Sequence, residues 1–440
     1  MSAALRVGVA GLGTVGASVI RLLDERRTAL EALSGRGIQV TAVSARDRSR
    51  DRGIDLSNVR WHDDPVDVAT DENVDLVVEL IGGSNGAAKD VVEAALKRGK
   101  PVVTANKALL AEHGLDLAAL AEENGAALAF EAAVAGGIPV IKALREALPA
   151  SRLTRISGIL NGTCNFILSR MEEEGLSFAD ALVEAQRLGY AEADPTFDVG
   201  GFDTAHKLSI LTSLAFGTQI DANSIYVEGI ASIAPLDLAM ADELGYRIKL
   251  LGVATRTDAG IEQRVHPTMV PKSSAIAQVM GVTNAVAIDG SAIGELTLVG
   301  PGAGGGATAT AVISDIVDVA RGAVRLPFGL PVALLEKAEK APIRTHKGGY
   351  YIRLSVVDQP GTAAAIATRM AEQGISLESI LQRKPRDKKQ SESSDTDVKT
   401  VPLVLITHAT SEDAARRALD AVLADGHIHG SPQVIRIETE

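Results

Sequence analysis

The sequence predicts an α/β protein: a Rossmann-like doubly wound parallel sheet, then a separate α+β domain, then a small C-terminal ferredoxin-like domain. Three observations carry that prediction. Short apolar runs alternate with helix-forming stretches through about the first 140 residues. A G-x-G-x-x-G loop joins the first apolar run to the first helical stretch. The end of the chain reads in the order β, α, β, β, α, β.

Bulk properties set the limits. A chain of 440 residues is too long for one ordinary core and predicts two or three domains. Aromatic residues are 3% of the chain, so the cores must be built from Ala, Val, Leu and Ile. The net charge of -12 argues against nucleic-acid binding and favours a small-molecule substrate. The single cysteine, Cys164, excludes an intramolecular disulfide, and no Cys/His cluster suggests zinc. No window reaches the roughly 20 apolar residues of a membrane span, and a cytoplasmic protein is expected.

Each element then follows in order. "LRVGVAGLGTVGASVIRLLDERR" is strand, glycine turn and helix, with helical apolar spacing at Val15, Val19, Leu22 and Leu23. Gly11 allows the tight turn, Gly13 lets pyrophosphate approach the backbone, and Gly16 lets helix pack on sheet. Further strands are expected at 38–45, 74–82, 101–106 and 126–134. The second strand ends in "AVSARDRSR" without an acid at Ser44 or Ala45. Arg46, Arg48 and Arg50 follow, which favours NADP over NAD, unless Asp47 reaches the ribose instead.

Beyond the nucleotide domain, placed at 1–140, longer helices and β-rich runs mark a second domain at 141–305. The glycine loop of "GPGAGGGATATAV" (300–312) opens a helix; 306–346 reads as that helix returning to the nucleotide domain plus a linker, and 347–440 as the third domain. Within it "RKPRDKKQSESSDTDVK" (383–399) is charged and nearly devoid of apolar residues, so a disordered hairpin loop is expected.

"ADPTFDVGGFDTAHK" (193–207) spaces Asp194, Asp198 and Asp203 four and five residues apart and sets Lys207 one helical turn after Asp203. If "DTAHK" opens a helix, the i, i+4 pair shares one face. A lysine so close would compete with a metal cation. The spacing leaves a catalytic proton donor and a structural salt bridge equally open.

With the preceding "AQRLGYAE", the stretch 185–207 resembles the signature of the homoserine dehydrogenases: Ala185, Gly189, Asp194, Pro195, Asp198, Gly200, Asp203 and Lys207 all fall at the family's intervals. "KPVVTANKALLAEHG", "FEAAVAGGIPVI", "GILNGTCNFIL" and "GPGAGGGATATAV" are similar to family segments and stand in the family's order. The C-terminal module resembles an ACT domain.

The resemblance implies an α+β catalytic and dimerisation domain and NAD(P)H-dependent interconversion of L-aspartate 4-semialdehyde and L-homoserine in threonine and methionine biosynthesis. It casts Lys207 as general acid/base and Lys107 as the group that positions substrate and nicotinamide. It implies that Glu192 and Asp203 bind the substrate ammonium or its water, that Asp198 orders the pocket, and that Gly189 and Gly304 complete the cofactor site, with Thr14 and Val15 at the helix N-terminus. It further implies a monovalent cation, sodium, at Glu131, Val134, Gly136 and Ile138. The ACT turn Asp358, Gln359, Pro360 and Gly361 is implicated in binding an amino-acid effector, threonine, in a homodimer or homotetramer. Two departures stand out: "SNGAAKDVV" where relatives carry Glu-Pro-Ala, and Ala307 where proline is common. The alternatives are a semialdehyde dehydrogenase using Cys164 as nucleophile and a nonenzymatic NAD(P)-binding sensor.

Overall fold

The computed structural model describes residues 3–339, 341, 347–382 and 400–438. The expected loop at 383–399 and most of the linker after 341 lie outside the described residues.

Six strands form the first sheet: β1 (Leu5–Ala10), β2 (Ile38–Ser44), β3 (Arg60–His62), β4 (Leu76–Glu79), β5 (Val102–Thr104) and β6 (Leu128–Ala129). Their order is β3-β2-β1-β4-β5-β6 and all pairings are parallel. The order reverses between β1 and β4, which opens the crevice where such sheets take ligands. Strands covered on both faces need continuous apolar runs, and β4 accordingly is buried at all four positions. β3 is absent from the sequence reading because "RWH" is short, polar and half exposed. The strand expected at 126–134 shrinks to two residues, since the Glu131 backbone N–H turns away to the Asp315 carboxylate at 2.8 Å.

The helix Thr14–Glu25 lies on this sheet, and the helix Gly305–Ala320 packs against it. A methyl group at Gly305 would sit 2.6 Å from Ser18 Oγ and 3.1 Å from Thr14 Cγ2, so only glycine permits that approach. Val312 and Ile316 join Val19 and Leu23 in one core, each such buried side chain contributing roughly 1.5–3 kcal/mol.

The second sheet runs through two modules. β7 (Leu153–Ile159), β8 (Tyr226–Val227), β9 (Tyr246–Thr257), β10 (Gly260–Pro271), β11 (Thr283–Gly290) and β12 (Gly294–Pro301) belong to the middle of the chain. β13 (Lys347–Val357), β14 (Leu377–Gln382), β15 (Thr400–Thr407), β16 (Thr410–Ser411) and β17 (Ile428–Ile437) belong to the C-terminal module. Its order β17-β13-β15-β14, with helices Thr362–Glu372 and Glu412–Ala424, is the ferredoxin-like arrangement. The two modules share one sheet because β17 adds in parallel to β10 at Thr268↔Arg436 and Met269↔Ile437. Asp237 fastens the seam: it accepts from Tyr351 Oη at 2.8 Å and from Arg353 Nε at 2.7 Å. Arg436 adds a bidentate pair with Glu412 and reaches Glu228 at 3.2 Å.

The helix Phe202–Phe216 packs on β9 closely enough that a methyl group at Gly252 would meet Thr204 Cγ2 at 3.0 Å. Its first turn meets the start of the helix Lys107–Glu123 of the nucleotide unit, across the cleft between the two units.

Candidate active site

The cleft joins two helix beginnings. On the nucleotide side β5 ends at Thr104, and Asn106 caps the helix Lys107–Glu123 by accepting from the Leu109 N–H at 3.0 Å. Lys107 is thereby the first helical residue past a parallel strand's carboxyl end. Opposite it, Gly201 turns at φ 89° into the helix that carries Asp203 and Lys207. Lys107 Nζ lies 3.1 Å from Asp203 Oδ1, and Lys207 Nζ lies 2.7 Å from Asp203 Oδ2. One carboxylate thus bridges two ammonium groups from two parts of the chain.

Asp203 is 3% exposed, so its charge needs partners. Burial pushes its carboxyl up, but Lys207 and Lys107, with Asn161, outweigh this and hold it far below the usual carboxylate range. Asn161 Nδ2 donates to Asp203 Oδ2 at 2.8 Å and to Asp198 Oδ1 at 2.9 Å. Lys207 also donates to the Leu160 carbonyl at 2.7 Å. These contacts fix its Nζ and leave one ammonium proton for another acceptor. Burial lowers the proton affinity of Lys107, yet Asp203, Asp198 and the exposed Glu192 raise it on balance, so it is an ammonium at neutral pH. Asp198 is raised by burial and by Asp203.

Cys164 sits beneath this cluster. Its thiol donates to the Asp198 carbonyl at 3.2 Å, and burial with the two nearby carboxylates pushes it well above its ordinary value. A buried, protonated thiol is a poor nucleophile.

The glycine loop lies on the other flank of the cleft. At Gly11, φ is 105° and a methyl group would strike the Leu80 carbonyl oxygen at 2.4 Å; at Gly16 it would strike the Gly11 oxygen at 2.1 Å. Gly13 faces open space, and Thr14 and Val15 begin the helix. Gly304 caps the second glycine-opened helix, which starts beside Thr14. Two helix N-termini therefore converge where a pyrophosphate would need donors. Arg46 is exposed beyond β2, and the Asp47 carboxylate accepts from Ser49 N–H at 2.8 Å and Ser49 Oγ at 2.6 Å. Gly189, with φ 76°, is exposed just after the helix Phe178–Arg187.

In the predicted cation loop, Val134, Gly136 and Ile138 follow Glu131 through a left-handed bend at Ala135 (φ 56°) and Gly136 (φ 52°). The Glu131 carboxylate accepts the Ile141 and Lys142 N–H groups at 2.9 and 2.8 Å. Its side chain is committed to the backbone, which leaves carbonyl oxygens as the loop's donors. Asp358, Gln359 and Gly361 form an exposed turn before the helix Thr362–Glu372, remote in the chain from the cleft.

Asn161 was not singled out by the sequence. "LNGTC" carries an N-cap signal, and Asn161 Oδ1 does accept the Cys164 N–H at 2.8 Å. Its second role, donating to two carboxylates 37 and 42 residues away, leaves no local trace.

Comparison with known proteins gives a consistent result. Residues 139–317 match the family model described as homoserine dehydrogenase, residues 11–131 its NAD-binding domain, and residues 350–424 the ACT domain. A homoserine dehydrogenase of Pseudomonas aeruginosa is 46% identical over 99% of both chains. The crystal structure of a homoserine dehydrogenase from Thiobacillus denitrificans superposes with a TM-score of 0.91 at 41% identity, covering 99% of this chain and 98% of that one. A hyperthermophilic archaeal homoserine dehydrogenase in complex with NADPH covers 73% of this chain and 99% of its own, with a TM-score of 0.62 and 27% identity.

Proposed function

The chain belongs to the homoserine dehydrogenase family, an oxidoreductase with a nicotinamide cofactor and a C-terminal ACT domain, and from that premise we propose how its residues divide the work. The substrate is L-aspartate 4-semialdehyde, reduced to L-homoserine on the route to threonine and methionine. The nicotinamide supplies the hydride when bound. Lys207 gives its remaining ammonium proton to the aldehyde oxygen as the carbonyl carbon is reduced, and bulk water restores it. Lys107 polarises the same oxygen and fixes the substrate against the cofactor. Asp203 holds both ammoniums, Asp198 orders the pocket through Asn161, and Glu192 takes the substrate's ammonium group at the exposed rim. The observation that carries this reading is the shared pairing of Lys107 and Lys207 on Asp203.

The cofactor is NADPH in preference to NADH. Asp47 is occupied by its own turn, whereas Arg46 is open to a 2′-phosphate. Gly11, Gly13, Thr14, Val15 and Gly16 hold the pyrophosphate, with Gly189 and Gly304 completing the site. A sodium ion at the carbonyls of Glu131, Val134, Gly136 and Ile138 braces the junction of the two domains. The donor chemistry fits a weakly charged hard cation, because the Glu131 carboxylate is already committed to two backbone N–H groups and backbone carbonyls remain. Threonine binds the turn Asp358, Gln359 and Gly361 and inhibits the enzyme, which works in the cytoplasm as a homodimer or homotetramer.

The semialdehyde-dehydrogenase alternative loses support because Cys164 is buried and held protonated. The test is direct. Purified protein should oxidise NADPH only when aspartate 4-semialdehyde is added, form homoserine in equal amount, and be inhibited by threonine less strongly in Asp358→Ala. Oxidation without homoserine would overturn the substrate assignment.

A further inference from the structure

Glu79, the last residue of β4, is wholly buried and has no part in the scheme above. It stands at the switch point of the parallel sheet, in register with Ala10 on β1 and Thr104 on β5. Its Oε1 accepts the Ile81 N–H at 2.7 Å and the Gly82 N–H at 3.2 Å, and its Oε2 accepts the Thr104 hydroxyl at 2.6 Å. Asn106 Nδ2 approaches Oε1 at 3.5 Å and donates to the Gly83 carbonyl at 2.7 Å. Thr104 Oγ1 in turn accepts the Asn106 N–H at 3.0 Å.

Every group around the carboxylate is a donor, and the bonds run to two places. One is the turn after β4, whose Leu80 carbonyl sits where a side chain on Gly11 would be. The other is Asn106, held at its backbone N–H, its amide nitrogen and, through Leu109, its amide oxygen. The next residue is Lys107.

We propose that Glu79 is a positioning residue: it locks the turn backing the dinucleotide loop to the Asn106 cap and so sets where Lys107 stands relative to bound cofactor. A carboxylate suits this task, since an amide could not accept from the turn and from Thr104 at once. An acid wholly buried at a strand end costs stability unless satisfied, so its presence calls for a reason beyond packing. The inference rests on the role given to Lys107 above.

The experiment uses Glu79→Gln and Thr104→Val, with Thr104→Ser as the conservative variant, in the full chain. If Lys107 is displaced by about 1 Å, the hydride step slows by about 10²-fold. The expected result is that loss in kcat for both disruptive variants, a raised KM for the aldehyde, and a larger primary isotope effect with 4-deuterated NADPH. Thr104→Ser should regain most of the rate. Wild-type kcat, KM and isotope effect in a variant that only melts earlier would overturn the proposal. So would failure of both variants to fold, which would make Glu79 a stability residue. Lys107→Ala separates the two ideas. Full activity there removes the premise, whereas a loss there with an unaffected Glu79→Gln removes only the positioning role.

Discussion

Replacing Asp203 by Asn keeps the side chain's size and removes the charge on which both lysines converge. At 3.1 and 2.7 Å the two pairs are close. At an effective dielectric near 20, Coulomb attraction gives about 5–6 kcal/mol for each before desolvation. Breaking a buried pair by removing one partner costs about 3–5 kcal/mol. The amide also has only one acceptor oxygen, so its Nδ2 must face Asn161 and Lys207 or Lys107, donor against donor. If most of that loss falls on the transition state, kcat/KM drops by about 10²–10³-fold at 1.36 kcal/mol per decade. The pH profile should move as well. Lys107 is raised by Asp203 first and by Asp198 and Glu192 after it, against a burial that lowers it. Without Asp203 the proton affinity of Lys107 falls, so the alkaline limb, where rate is lost as Lys107 gives up the charge that polarises the aldehyde oxygen, shifts to lower pH. The assay is aldehyde-dependent NADPH oxidation across pH, with the melting temperature measured beside it. Activity within about threefold of wild type and an unmoved alkaline limb would refute the electrostatic reasoning.

Three further outcomes are expected. Cys164→Ser should retain activity within a few-fold, since the thiol donates one bond to a carbonyl and a hydroxyl does the same; abolished turnover would restore the thiol mechanism. Arg46→Ala should raise KM for NADPH about tenfold while leaving NADH unchanged, as expected for loss of one charge-assisted bond to phosphate; equal changes for both cofactors would place Arg46 away from the ribose. Glu131 and Asp315 are raised by burial, to about 7 and about 6. Both bind protons more tightly folded than unfolded, so their contribution to stability is full below about pH 4 and is lost as pH rises towards about 7. Asp315→Asn should therefore flatten the fall in melting temperature across that window, whereas an unchanged slope would mean other groups govern it.

The nucleotide half was legible because strands buried on both faces leave continuous apolar runs and glycine marks the one turn where Leu80 leaves no room for a side chain. β3 escaped, being short, polar and half exposed. The ferredoxin-like order was also legible, yet its fusion to the central sheet was not. Two residue pairs between β10 and β17 make that junction, and such contacts distant in sequence carry no periodic signal. In the site, the i, i+4 spacing of Asp203 and Lys207 announced a shared face but left its purpose open. Lys107 could be joined to them only by resemblance, because its contact with Asp203 crosses the cleft. Asn161, Glu79 and the committed carboxylate of Glu131 emerge only from the fold, since their partners are distant backbone groups and carboxylates.

The most direct measurement is a single-turnover reaction of Lys207→Ala with bound NADPH and added aspartate 4-semialdehyde, compared with wild type. A proton donor lost from the reacting oxygen lowers the hydride-transfer rate by about 10²–10⁴-fold, while NADPH binding, set at the glycine loop, stays as in wild type. Hydride transfer at the wild-type rate in Lys207→Ala would contradict the account.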